Sequence, residues 1–401
     1  MPLIETRYRI VFGACLTQFT VIGLLFAFGL FFKPLQEEFG WSRTLLSSAS
    51  SLSFFMMGVL AILGGRMNDR FGPRLVLTFT GIAYATGFLL LSQITAPWQM
   101  FAIFGIFMGL GLGTHDVVTL STIARWFENR RGIMSGVVKT GTALGQITIP
   151  PLAAALLLTY GWRQALIVLG LAALVLLLIA ALSMDRPPDL LRAAPGTRAG
   201  SGSGGHSFPE ARVTRLFWTL CAIQFLFFPS MMSVPMHLAI HGTDLGMTTA
   251  RAATLLSVLG AASIAGRLTV GTLSDRIGGR RAFLMCFSIL LASLIALTGV
   301  RAHGLLFAVV AVYGFSHGGL FTVVSPIVAE YFGMRAHGAI FGTILFFGTI
   351  GGAVGPIIVG WIFDTTGSYR LAFAMLATLA AIGLALVLTL PRKTVAPRVA
   401  A

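Results

Sequence analysis

Four ionisable residues lie inside long apolar stretches of the sequence: His115, Asp116, Lys139 and Arg267. A charged side chain in the middle of a membrane helix costs about 2.5–3.5 kcal/mol on insertion scales, so each is a candidate functional residue. The guanidinium of Arg267 presents a planar fork of donors that matches a carboxylate. A histidine or an aspartate in such a place can carry a proton. These residue types therefore indicate binding of an organic anion together with protons.

For two of these residues, a purely structural role is the alternative to binding a substrate. Arg267 lies only four residues before Gly271, so its side chain could extend to the following loop instead of holding a substrate. Lys139 could form an ion pair with Asp116 that only stabilises the first half of the chain, or it could add positive charge to an internal cavity. The sequence leaves both alternatives open.

His115 and Asp116 are neighbours on one predicted helix, so their side chains leave the helix about 100° apart. We therefore expect one of them to face the cavity and the other to face a neighbouring helix. His115 either carries a proton or forms a hydrogen bond where glycine-rich helices cross. Gln18 and Gln224 either contact substrate or join helices by hydrogen bonds.

The charged candidate residues are predicted to lie at a similar depth in the membrane. Asp116, Lys139 and Arg267 each lie eight or nine residues from a basic loop. At about 1.5 Å per helical residue they sit about 12–14 Å into the membrane, close to its midplane. Gln18 and Gln224 fall at a similar depth, so all five side chains are expected to form one layer.

The elements that must position these residues occur twice, at an offset of about 206 residues. The segment 65–74, GRMNDRFGPR, returns at 271–280 as GTLSDRIGGR. The same offset maps Phe39-Gly40-Trp41-Ser42 onto Leu245-Gly246-Met247-Thr248, Gln18 onto Gln224, Gly145 onto Gly351 and Pro150 onto Pro356. A register kept over this distance indicates a duplicated half-protein. Two similar halves with a site at their interface are typical of a transporter.

The composition requires a membrane. Hydrophobic residues make up 56% of the chain and charged residues only 10%, more apolar surface than a soluble protein of this length can hide. We count twelve apolar runs near the ~20 residues that span a bilayer; the fifth and sixth cover 132–158 and 163–183. The predicted fold is an all-α membrane protein with two six-helix halves, 1–184 and 213–391. A cytoplasmic linker, 185–212, and a cytoplasmic tail, 392–401, complete it.

The basic residues decide the predicted orientation. The formal net charge is +15, but Arg and Lys concentrate in every second loop, as in 66–74, 125–131, 186–215 and 276–281. This is the positive-inside pattern, and it places both termini in the cytoplasm of a multi-pass protein of the cell (inner) membrane. The clustering at loops argues against nucleic-acid binding.

The sequence does not point to a disulfide-rich, metal-binding or enzymatic protein. Cys15, Cys221 and Cys286 lie singly in apolar spans, which predicts neither a disulfide framework nor a metal site. No HExxH motif and no pair of catalytic acids occurs at useful spacing in a span. We therefore expect no cofactor, no metal and no enzymatic activity; an intramembrane enzyme and a transporter-like sensor remain remote alternatives.

The twelve spans and the repeated G-x-x-x-D-R-x-G-x-R loop resemble the major facilitator superfamily over essentially the whole chain. Within it, Gly266-Arg267 and the following Gly271 are similar to the eighth span of monocarboxylate transporters and oxalate–formate exchangers, as is the glycine-rich stretch 109–113 that leads to Arg125. The resemblance implies that spans 4, 5 and 8 face a central cavity. It also implies that Arg267 matches the substrate arginine of monocarboxylate transporters.

The resemblance also implies that the repeated loop forms a cytoplasmic gate that holds the halves together. The gate residues are Asp69, Arg70, Arg74, Asp275 and Arg276. The plainer alternative for each copy is an orientation signal combined with a helix cap.

Three departures from the relatives narrow the expected substrate. Ser263 stands where animal monocarboxylate transporters have an aspartate, and no charge lies inside span 1, where they have a lysine. The stretch 344–347 is apolar where oxalate exchangers have a lysine. One cation in the second half fits a single carboxylate. His115, Asp116 or the substrate's own carboxylate would then take the proton.

These observations predict a proton-coupled symporter for small monocarboxylates of the lactate or pyruvate type, working by alternating access. The alternative is an organic-anion antiporter with oxalate/formate-like exchange. The expected partners are the monocarboxylate anion, protons and the lipid bilayer. We expect the protein to be monomeric.

Overall fold

The computed structural model describes residues 3–186 and 205–392, and these residues are almost entirely helical. The helices are α1 (Leu3–Ala27), α2 (Phe32–Phe39), α3 (Arg43–Phe71), α4 (Pro73–Leu91), α5 (Pro97–Ala102), α6 (Gly109–Trp126), α7 (Arg131–Ser183), α8 (Phe208–Arg212), α9 (Arg215–Asp244), α10 (Thr249–Ile277), α11 (Gly279–Gly299), α12 (His303–Phe332), α13 (His337–Thr366) and α14 (Arg370–Thr389). The described residues contain no β-strand, only an isolated bridge between Gly205 and Gly333.

The described part of the chain contains 11 helical stretches long and apolar enough to cross a membrane. One of them, α7, has 53 residues and covers the fifth and sixth predicted spans. It turns at Gly161, whose φ of 77° and ψ of 168° suit a residue without Cβ. Counting the two arms of α7 separately gives the twelve predicted spans. The predicted all-α membrane fold is confirmed.

The repeated sequence segments start corresponding helices in the same way. Gly40 and Gly246 have φ of 68° and 85°, which lets the chain reverse after the preceding helix. Two residues later, the hydroxyl of Ser42 accepts a hydrogen bond from the backbone N–H of Leu45 and caps α3. The hydroxyl of Thr248 caps α10 in the same way. The duplication is therefore visible in backbone conformation as well as in sequence.

The chain forms two compact units. The first unit comprises Met1–Phe127, Val137–Phe208 and Phe332–Phe346; the second comprises Glu128–Gly136, Pro209–Tyr331 and Phe347–Ala401. The boundaries of the two predicted halves stay a prediction. Residues 187–204 of the predicted linker and 393–401 of the predicted tail lie outside the described residues.

Large apolar side chains occupy both the interior and the outer helix faces. In the first unit, Tyr84 is buried among phenylalanines, and its hydroxyl donates a 2.8 Å hydrogen bond to the carbonyl of Val21. On the outside of α4, Leu75 and Phe79 are each 56% exposed and lie four residues apart on one helix face. An apolar outer face of this kind suits contact with lipid.

Candidate functional site

A buried ion pair connects α6 to α7 in the first unit. The Nζ of Lys139 lies 2.5 Å and 2.6 Å from the two carboxylate oxygens of Asp116. These residues are 4% and 8% exposed. Of the two alternatives for Lys139, the structure shows the ion pair. A bidentate, buried contact of this kind fixes α6 against α7.

Gln18 completes this arrangement from α1. Its Nε2 donates to Asp116 Oδ1 at 2.7 Å and to Thr119 Oγ1 at 3.1 Å, and the side chain is fully buried. Gln18 therefore acts as a hydrogen-bonding link between α1 and α6. Its repeat partner Gln224 is also buried, at 2% exposure on α9, and its Cγ packs beside Gly348.

His115 joins the same cluster, contrary to the expectation from helix geometry. Its Nε2 lies 3.7 Å from Asp116 Oδ1, although the two side chains leave the helix about 100° apart. Helix geometry sets only the Cα–Cβ directions, and both side chains are long enough to bend toward each other. The Nδ1 lies 2.5 Å from the carbonyl of Leu112. Since a carbonyl only accepts, Nδ1 carries a proton and Nε2 faces the carboxylate.

Arg267 lies in the second unit, on α10, and is 5% exposed. One turn earlier on the same helix, the Oγ of Ser263 lies 3.2 Å from Nδ1 of His317 on α12. His317 is 8% exposed. Sequence reasoning missed this histidine, although it meets the criterion that selected His115: an ionisable residue inside an apolar span.

Glycines bring α10 and α12 together at this point. A Cβ added to Gly318 would meet the carbonyl of Ser263, and one added to Gly266 would meet the carbonyl of Phe315. Close backbone approach through small residues is a common way for membrane helices to pack. This crossing sets the separation of Ser263 and His317, and any larger residue at Gly318 would force the helices apart.

Asp69, one of the predicted gate residues, caps a helix from the other sequence repeat. Its two carboxylate oxygens accept hydrogen bonds from the backbone N–H groups of Gly338 and Ala339, at 3.2 Å and 3.0 Å. These N–H groups lie in the first turn of α13, at the positive end of its dipole. Arg125, at the end of α6, also donates to Asp69. All four residues belong to the first unit.

Asp275 makes the equivalent contact within the second unit. Its carboxylate oxygens accept from the N–H groups of Gly132 and Ile133 at the start of α7, at 2.7 Å and 2.9 Å. A Cβ added to Gly132 would meet the carbonyl of Gly271, so the helices touch there. Both copies of the loop therefore use the aspartate to bind a helix N-terminus distant in sequence, which neither prediction for these residues specified.

The predicted gate arginines lie at the surface around these contacts. Arg74 donates to the carbonyl of Leu182 at 2.7 Å and lies 3.6 Å from Asp185. Arg70 and Arg276 are exposed. Among the contacts of the described residues, the arginine that pairs with Asp69 is Arg125, whose place in a basic loop of the sequence did not indicate this pairing.

A sequence model of the Major Facilitator Superfamily matches residues 14–303 and 268–401. Monocarboxylate transporter 13 of Rattus norvegicus is 29% identical over 394 residues, which cover 96% of this chain and 89% of the relative. The protein of the same name from Bos taurus is 29% identical over 390 residues, with the same coverage of both chains. The crystal structure of FucP, a superfamily transporter in the outward conformation, matches with a TM-score of 0.76 and 15% identity, over 94% of this chain and 97% of that one.

Proposed function

Since the chain belongs to the major facilitator superfamily, we propose that this transporter carries small monocarboxylates of the lactate or pyruvate type together with protons. It works by alternating access, in which the site opens to one side of the membrane at a time. The proposal is supported by relatives that are named monocarboxylate transporters and by the residues buried in the second unit.

The observation that carries the proposal is the burial of Arg267. Its side chain would reach the surface if it only anchored the following loop, but the residue is 5% exposed. A buried guanidinium keeps its positive charge and presents parallel N–H donors, which suit a carboxylate bound through both oxygens. Arg267 is therefore the group that we assign to the substrate carboxylate.

A single carboxylate fits better than two. The segment that would supply a second cation, by resemblance to oxalate exchangers, is apolar here, and Ile344 and Leu345 on α13 are 1% and 5% exposed. In the first unit, the charge of Lys139 is already balanced by Asp116. These residues favour a substrate with one negative charge.

We assign the two aspartate contacts to a cytoplasmic gate. The loops that carry Asp69 and Asp275 are basic, and basic loops remain in the cytoplasm of a cell-membrane protein. By the same rule both termini are cytoplasmic. Each contact holds the start of a membrane helix against a loop from the other sequence repeat, so breaking it would free that end of the helix to move.

Asp69→Asn is expected to slow transport while changing substrate affinity by no more than a few-fold. The asparagine loses the negative charge that faces Arg125 and the N-terminus of α13. A charge at a helix end is worth about 0.3–2 kcal/mol, which shifts the balance between conformations by about two- to thirtyfold. The measurement is the initial rate of lactate uptake into proteoliposomes, beside lactate affinity in detergent.

Glu330→Gln is the matched control for this experiment. Glu330 also caps a helix, accepting from the N–H of Gly279 at 2.8 Å, but both residues belong to the second repeat. Its variant should transport at nearly the wild-type rate. A large loss of equilibrium affinity in Asp69→Asn, with unchanged accessibility of both sides, would count against a gating role.

Proton coupling predicts a dependence on the pH gradient. An inward proton gradient should raise the accumulation of labelled lactate in proteoliposomes above its equilibrium level, and a protonophore should abolish the excess. The physical reason is that the anion and the proton cross together, so one gradient drives the other. Uptake should be measured with and without the gradient at equal internal volume.

Preloading separates symport from exchange. Unlabelled lactate inside the vesicles should accelerate uptake of labelled lactate but should not be required for it. Strict dependence on preloading, without an effect of the proton gradient, would identify an antiporter and refute the symport proposal.

A further inference from the structure

We propose that an anionic phospholipid binds in a groove on the outer surface of the first unit, at the predicted cytoplasmic end of α4. Arg74 and Arg186 hold its phosphate group, and exposed apolar side chains of α4 contact one acyl chain. This site concerns the membrane around the transporter, so it is independent of the substrate that the protein carries.

The apolar part of the groove lies along one face of α4. The groove has a volume of about 760 Å³, within the range of ligand sites in proteins. Leu75, Phe79 and Ile82 line it and are 56%, 56% and 43% exposed. Their spacing of four and three residues puts them on one helix face, and they extend for about 10 Å along its axis. One leaflet of a bilayer has about 15 Å of hydrocarbon, so this wall is long enough to contact most of an acyl chain.

The basic part of the groove lies at the loop where α4 begins. Arg74 and Arg186 line it, and half of the Arg74 side chain is exposed. Arg74 donates to the carbonyl of Leu182 at 2.7 Å, and Arg186 donates to the carbonyl of Arg70 at 2.6 Å. A Cβ added to Gly72 would meet Nε of Arg186, so this glycine lets the guanidinium lie against the loop. Both cations are thus held in place before a ligand arrives, which lowers the entropy cost of binding.

Positive charge exceeds negative charge around the basic part. Among the described residues that line the groove, the acidic one is Asp185. It accepts from Arg9 and lies 3.6 Å from Arg74, so one carboxylate is shared between two guanidinium groups. Arg186 adds a third positive charge, and burial together with the nearby positive charge of Arg125 lowers the pKa of its guanidinium. An anion bound at Arg74 and Arg186 offsets this excess.

A phospholipid fits both parts of the groove at once. Its phosphate matches the fork of guanidinium donors, and its acyl chain matches the apolar wall. A zwitterionic lipid brings a compensating cation, whereas an anionic lipid keeps the negative charge that the arginines favour. Anionic lipids occur in the cytoplasmic leaflet and bind basic pockets between membrane helices there. The positive-inside pattern predicts that Arg74 and Arg186 face that leaflet.

A bound lipid joins two elements of the first unit. Arg74 lies in the first turn of α4, and Arg186 follows the end of α7, so a phosphate held by both arginines links these two helix ends. A ligand that binds the folded state and not the unfolded state stabilises the fold by mass action. Added anionic lipid should therefore raise the unfolding temperature of the purified protein.

Lipid binding to the purified protein tests the inference. Delipidated protein in detergent is titrated with phosphatidylglycerol or with phosphatidylcholine of the same acyl chains, and bound lipids are counted by native mass spectrometry. Wild type should bind one phosphatidylglycerol about tenfold more tightly than phosphatidylcholine. Each arginine near an anionic headgroup contributes about fivefold in affinity, so Arg74→Gln with Arg186→Gln should bind phosphatidylglycerol about twenty-fivefold more weakly.

Arg212→Gln with Arg215→Gln is the matched control. It removes the same charge from two exposed arginines near the start of α9, on the same predicted side of the membrane, and it should bind phosphatidylglycerol like wild type. Phe79→Ser should weaken the binding of both lipids, since it removes part of the apolar wall and leaves the arginines in place. Glycerol 3-phosphate, which has the phosphate without acyl chains, should not displace bound phosphatidylglycerol.

Equal binding of the two lipids by wild type, or wild-type binding by the folded variant Arg74→Gln with Arg186→Gln, would overturn the inference. Displacement by glycerol 3-phosphate would assign the arginines to a soluble phosphate compound and overturn it as well. If that variant does not fold, wild type is irradiated with phosphatidylglycerol that carries a diazirine on an acyl chain. Cross-links within residues 71–82 would support the site, and cross-links confined to other segments would refute it.

Discussion

Arg267→Ala is expected to abolish measurable lactate binding while leaving the protein folded. The substitution removes both the charge and the pair of donors that we assign to the substrate carboxylate. A charge-assisted hydrogen bond contributes about 1.5–3 kcal/mol, so losing even one weakens binding by about ten- to a hundredfold. Arg267→Lys should also bind poorly, because an ammonium keeps the charge but lacks the planar fork. The measurement is lactate binding to purified variants.

Arg301→Ala is the matched control, since Arg301 is an exposed arginine of the same unit, between α11 and α12. It should bind lactate like wild type. All variants must elute as single species in detergent. Wild-type binding by folded Arg267→Ala would mean that the arginine only anchors its helix. Lys139 and His115 would then become the better candidates for the anion site.

Lys139→Met should strongly destabilise the first unit. The substitution leaves the carboxylate of Asp116 buried without its ammonium partner, and removing one member of a buried pair costs about 3–5 kcal/mol. Neutralising both residues, as Asp116→Asn with Lys139→Gln, should recover much of the stability because no buried charge remains. Thermal unfolding in detergent, followed by intrinsic tryptophan fluorescence, measures both effects.

Arg163→Ala supplies the comparison for that experiment. Arg163 pairs with Glu38 at 2.5 Å, but the two side chains are 40% and 39% exposed. Surface pairs contribute about 0–1 kcal/mol, so this variant should unfold close to the wild-type temperature. If Lys139→Met were no less stable than Arg163→Ala, the buried pair would not be a structural element, and Lys139 would be available to bind the anion.

The arrangement of helices could be predicted because membrane-length apolar runs have few structural options. A backbone in lipid must satisfy its hydrogen bonds internally, so each run becomes a helix. The repeat also paired Ser42 with Thr248, and the structure shows that these two residues cap corresponding helices. The two arms of α7 were also anticipated, since their boundary at Gly161 follows from a break in the apolar pattern.

The contacts at the candidate site were harder to predict from the sequence. Asp69 and Gly338 lie 269 residues apart, and no local pattern indicates which helix end a carboxylate will cap. His317 was visible as an ionisable residue in an apolar span, but its partner Ser263 is set by the crossing of α10 and α12. The burial of Arg267, at 5% exposure, is evidence against a side chain directed to the loop, while its binding of substrate stays a prediction.

The contacts of Asp69 and Asp275 place few constraints on the residue types at the helix starts that they bind. Asp69 and Asp275 bind main-chain N–H groups, and every residue type except proline provides such a group. The first turns of α7 and α13 can therefore drift in sequence while their contacts persist, provided that Gly132 and Gly338 leave room for the approaching backbone. A search for correlated substitutions would find no pair at either contact, even though both ends are essential to it.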